Sequence, residues 1–219
     1  MPSASDFVEV PSDAATVAQR YHRLERPVGG LVALLVAGVV GAAVLFLPLA
    51  TGLLVALVAV ALFRVPVFQS DGTVRLVADA EPAAVKADFE RPTPPPLALQ
   101  WGVADSVRPT ADGAHYEFSS LFGLQTAAME LERRSTATDD GESTADLELA
   151  VTENGSPWAT YSVTVRDQKA ETVVDVAWTS ERRFGLRRLP QWFVAERYRT
   201  EALAAQGYRT VDRDASLSV

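Results

Sequence analysis

The sequence predicts an α+β fold in which seven antiparallel strands form a curved sheet over one long C-terminal helix, preceded by a two-helix apolar hairpin. Three patterns in the 219 residues carry this expectation. No charged residue occurs from Val28 to Phe63. From about residue 74 to 179, apolar and polar residues alternate with the period of two that turns one face of a strand into a core. From Leu189 the period lengthens to that of a helix, and Gly207 supplies a stop.

A single helix made of the uncharged run, rising about 1.5 Å per residue, would reach about 54 Å, nearly twice the ~30 Å hydrocarbon core of a bilayer. It has to bend. Pro48 and Thr51-Gly52 lie near its middle, where proline removes a helix hydrogen bond and glycine accepts a turn. The expectation is one helix over 30–47 and a second over 49–67, with Arg64 reaching back to the interface; a tilted single span or a re-entrant hairpin is the alternative. Arg20, Arg23 and Arg26 precede the pair, and Arg64 and Arg75 follow it. Positive charge on both flanks predicts a two-span protein of the cell membrane, with both termini and the soluble domain cytoplasmic. Residues 1–27 then form a polar tail ending in a juxtamembrane helix over 14–24, residues 28–68 the transmembrane hairpin, and residues 69–219 the soluble domain.

In that domain Val74, Leu76 and Ala78 share one face of a first strand, and Pro82 opens a short helix with Val85 and Phe89 four apart. Residues 91–96 are proline-rich and extended, since each proline turns its predecessor away from helix. A second strand is expected next, with Leu97, Leu99, Trp101 and Val103 on one side. Further strands read at 114–121, 126–134, 147–151, 158–166 and 171–179, and 135–144 form a solvated loop. Asn154-Gly155 is the two-residue turn of a hairpin, because both residues accept positive φ. The closing helix aligns Leu189, Phe193, Val194, Tyr198, Ala202 and Leu203, and 208–219 add a weak strand.

Lys and Arg total 20 against 28 acidic residues, a net charge of −8, and only Lys86 and Lys169 are lysines. Few lysines and many carboxylates suit a salt-adapted chain of haloarchaeal type, in which screening relieves the self-repulsion; a GC-rich genome is the alternative source of the same composition. The acidity argues against nucleic acid as a partner, since a phosphate-binding face needs a basic stripe. With no cysteine, disulfides, thiol catalysis and cysteine-ligated zinc are excluded.

One strand, a short helix, six antiparallel strands and a long closing helix follow one another in this chain. The order, with Val74-Arg75-Leu76-Val77-Ala78-Asp79 and Glu81-Pro82-Ala83-Ala84-Val85 at its start and Trp192-Phe193-Val194-Ala195-Glu196-Arg197-Tyr198 at its end, resembles the START-like (SRPBCC) superfamily. That superfamily has the helix-grip fold and includes polyketide cyclase-like and lipid-transfer domains. The resemblance implies a cavity between sheet and helix, and transfers no catalytic residues. Trp101, Phe118, Trp178, Phe193 and Tyr198 are the candidate lining.

Signatures of chemistry are sparse. There is no phosphate-binding glycine loop, H-E-x-x-H or G-x-S-x-G. His115 alone makes neither a metal site nor a triad, Asp139, Asp140 and Glu142 read as solvated surface, and Asp175 faces outward. Arg182, Arg183, Arg187 and Arg188 stand just before a helix N-terminus, where the macrodipole disfavours cations. Either anionic lipid headgroups or the chain's own carboxylates should compensate them. The function expected is a non-catalytic, membrane-anchored binding domain for a lipid or other apolar small molecule, with no metal or cofactor. The alternatives are a scaffold with a filled core that docks a membrane-protein partner, and a cyclase-like enzyme.

Overall fold

In a computed structural model, which describes residues 8, 10–120, 125–135, 146–168 and 171–218, the chain opens with helix α1, Ser12–Phe46. The helices expected over 14–24 and 30–47 are therefore one. Pro27 lies inside it and removes one hydrogen bond, and the helix continues through the proline. Before Pro27, Ala14, Val17 and Ala18 are buried in the core of the domain. Gly102 lets α1 approach so closely that a β-carbon added there would lie 2.6 Å from Ala18 Cβ. Beyond Pro27 the helix is long and apolar enough to cross a membrane, and only 11% of its apolar window is buried. Helix α2, Leu49–Arg64, follows after Leu47 and Pro48 and ends short of Val67. Gly52 sits against the Ala43 carbonyl, and the carbonyls of Phe63 and Val65 lie against Gly185 of the domain.

An eight-stranded antiparallel sheet follows, one strand more than the sequence count: β1 (Gln69–Ala78), β2 (Ser106–Pro109), β3 (Gly113–Ser120), β4 (Gln125–Ser135), β5 (Leu147–Glu153), β6 (Ser156–Gln168), β7 (Glu171–Ser180) and β8 (Arg209–Ser218). Its spatial order is β2-β3-β4-β5-β6-β7-β1-β8. The weak C-terminal strand is the added one: β8 pairs with β1 from Gln69↔Ser218 to Val77↔Arg209. Asn154 (φ 50) and Gly155 (φ 76) form the expected tight turn between β5 and β6. Helices α3 (Pro82–Phe89), α4 (Ala98–Trp101) and α5 (Leu189–Ala204) and the first half of α1 supply the rest of the core.

Two expectations need correction. Residues 97–103 are not a strand: Pro95–Leu97 is a 3-10 turn leading directly into α4, and the second strand is Ser106–Pro109. Proline at the start of a helical turn sacrifices no bond, so the run opens a helix, and Leu97, Ala98 and Trp101 are buried at spacings of one, three and four. Two aromatic donors satisfy the proline carbonyls: Trp101 Nε1 donates to Pro94 O at 2.9 Å and the Tyr116 hydroxyl to Pro92 O at 2.7 Å. The second correction concerns α5, where Phe193 is 64% exposed while Ala195, Ala202 and Leu203 are buried. The buried stripe is set by two partners, the sheet and α1, so one-sided periodicity misplaces it.

Candidate binding cleft where α1 meets the sheet

The stripe of α5 that faces the sheet reads Trp192, Ala195, Arg199 and Ala202, spaced three and four apart. Ala195 is too short to reach the strands. A half-open cleft of about 470 Å³ results at one end of the sheet. Its floor is Trp158, Tyr161, Trp178 and Ser180, and Leu99 and Gln100 of α4 close one side. Tyr21 and Glu25 of α1 close another, and the β7–α5 connection contributes Arg182, Phe184, Arg187 and Arg188. Under the C-terminal half of α5 the remaining void is only about 30 Å³, bordered by Val74, Leu76, Val176 and Leu203. That admits a water or two and nothing larger, so the middle of the sheet is packed and the open space lies at its end.

Four arginines and two glutamates line the cleft. Arg182 pairs with Glu153. Arg199 pairs with Glu196, but Glu196 also accepts from Arg213 at 2.6 Å, so one carboxylate serves two guanidiniums. Arg213 lies 4.9 Å from the centre of the Trp178 ring, and its burial lowers its pKa against the pull of Glu196. Arg187 and Arg188 are exposed and make no ion pair among the described residues. The Tyr21 phenol, whose ring lies tilted against that of Tyr198 with centres 5.8 Å apart, is pushed up to about 12, chiefly by burial and then by Glu25, with Arg199 and Arg188 opposing. Gln100 Oε1 is buried at this cleft with no hydrogen-bond partner among the described residues.

Of the five aromatic residues picked as lining, Trp178 borders the cleft. Trp101 is in the sealed core, Phe118 packs against it partly buried, Phe193 points to the outside, and Tyr198 meets α1. In the arginine group, Arg182, Arg187 and Arg188 line the cleft and Arg183 is exposed outside it. Sequence reasoning missed Tyr21, Glu25, Trp158, Trp192 and Arg199. The i, i+3, i+7 spacing of Trp192, Ala195 and Arg199 was the readable signal for three α5 positions; nothing local ties α1 to this place. Elsewhere, Asp175 faces away from the helices and pairs with Arg75 at 2.7 Å and Arg166 at 3.0 Å. His115 lies 3.8 Å from Glu117 and 3.7 Å from Glu130. Among the described residues no group of three potential ligands is placed to hold a metal; Asp139, Asp140 and Glu142 fall outside those residues.

No protein-family model matches this sequence. No curated protein matches it either. Among solved structures, a protein of Chromobacterium violaceum is 14% identical, covering 62% of this chain and 97% of its own, with a TM-score of 0.38. A conserved protein of Geobacillus kaustophilus is 11% identical over 64% of this chain and 98% of its own, with a TM-score of 0.39. A protein of Rhizobium loti is 14% identical over 64% of this chain and 98% of its own, with a TM-score of 0.41. Likeness at this level assigns neither an activity nor a ligand.

Proposed function

We propose that this protein is a membrane-anchored, non-catalytic binding domain of helix-grip, START-like type that holds an amphiphilic molecule in the cleft between α1, α5 and the sheet. One observation carries the reading: a volume of drug-like size, floored by tryptophans and rimmed by arginines, opens beside the apolar helices. The 16 residues of α2 give about 24 Å of helix, so α1 and α2 together make a short two-span hairpin that tilts little and keeps the domain close to the cytoplasmic leaflet. The acidic surplus and scarcity of lysine fit a chain that works in concentrated salt.

The test uses the full-length chain purified in a neutral detergent, extracted with organic solvent and examined by mass spectrometry. One amphiphile should co-purify in near-stoichiometric amount, and it should be absent from the Ala195→Phe variant, whose ring fills the cleft. An empty extract, or the same compound in both, would sink the reading. A second reading, a scaffold that docks a membrane-protein partner, is favoured by the packed middle of the sheet, where only about 30 Å³ remains. It predicts a cross-linked partner whose capture survives Ala195→Phe.

A further inference from the structure

The cleft adjoins both apolar helices at the level where they enter the domain. Glu25 on its wall precedes Val28, the first residue of the uncharged run, by less than one helical turn. Gln191 on its rim lies beside Gly29, where an added β-carbon would come within 3.2 Å of its amide. Phe184, also on the rim, pairs through its backbone with Phe68, and the neighbouring Gly185 touches the end of α2. With the apolar helices in a bilayer, the rim stands at the depth of the lipid phosphates. Arg187 and Arg188 stand there without an ion pair among the described residues, and Arg199 behind them shares its carboxylate with Arg213. Guanidiniums match phosphate oxygens in pairs, and the tryptophan floor offers an apolar surface to the first carbons of a chain.

Resting on the binding-domain reading, we propose that the occupant of this cleft is an anionic phospholipid drawn from the adjoining leaflet, its phosphate held by Arg187, Arg188 and Arg199. Three of the four tryptophans, Trp158, Trp178 and Trp192, line the cleft and none lies in the apolar helices, so bromine on a lipid chain reports occupancy by quenching. The full chain in neutral detergent is titrated with chain-brominated phosphatidylglycerol and, separately, with chain-brominated phosphatidylcholine. Phosphatidylglycerol should half-saturate at a concentration about tenfold or more below phosphatidylcholine. The double variant Arg187→Gln/Arg188→Gln should erase that preference, whereas Arg183→Gln, equally exposed but outside the cleft, should keep it. Equal quenching by both lipids that is lost in Ala195→Phe overturns the headgroup assignment and leaves the binding domain standing. No quenching by either lipid overturns the phospholipid, and an empty solvent extract beside it overturns the binding domain as well. Relief of the quenching by millimolar inorganic phosphate overturns the lipid as the source and gives the site to a soluble phosphate.

Discussion

Glu196 lies 2.6 Å from Arg213, and both side chains are 16% exposed. Replacing it with alanine strips the compensating charge from two partly buried guanidiniums, Arg199 and Arg213, whereas Glu201 pairs with the exposed Arg197 at 3.4 Å. Glu196→Ala should therefore cost about 2–3 kcal/mol, less than the loss from a fully buried broken pair because water still reaches this one. Glu201→Ala should cost roughly 0.5 kcal/mol or less. Chemical denaturation of the two variants checks the contrast, and equal losses would mean that the shared carboxylate does not hold this corner together. No residue pattern announces such an arrangement, because Arg213 reaches Glu196 from β8, the strand read as weakest.

At the scale of elements, α1 is the one that departs furthest from its sequence reading. Its first half looks polar, yet Ala14, Val17 and Ala18 form a buried stripe at spacings of three and four. Alanines carry little hydrophobic signal, and their burial depends on Gly102, which lies far along the chain. Ala18→Leu should force the rod off α4 and cost about 1–3 kcal/mol by overpacking, detected as earlier thermal unfolding together with faster proteolysis before Pro27. Unchanged proteolysis would show that α1 does not depend on this contact. By contrast, strands β3 to β7 were legible, since alternation of apolar and polar residues is a strong local signal where one sheet face is buried. The element 97–103 was misread because its apolar residues fit both periods. The arginine rim of the cleft was visible as a charge run, but its floor draws on β6 and β7 and its sides on α1, α4 and α5, which only the folded chain brings together.

For the molecule as a whole, Tyr21, Tyr116, Tyr161 and Tyr208 all have pKa values raised above the ordinary value near 10, and burial is the leading cause in each. The folded chain thus holds these protons more tightly than the unfolded chain does. Their contribution to stability is complete below about pH 10 and drains away as pH climbs through the folded values. Phenolate absorbance and circular dichroism should consequently change together in one alkaline transition above pH 10; four phenols ionising near pH 10 with the fold intact would contradict this. The pairing of β1 has a consequence for biosynthesis. Its ion pair to β7 joins residues 100 apart, and its contact with Ser218 joins residues 149 apart. A ribosome therefore delivers the apolar helices α1 and α2 long before β1 has any neighbour to join. If those helices enter a bilayer, as proposed above, insertion precedes closure of the sheet, and the nascent chain is tethered before it can fold.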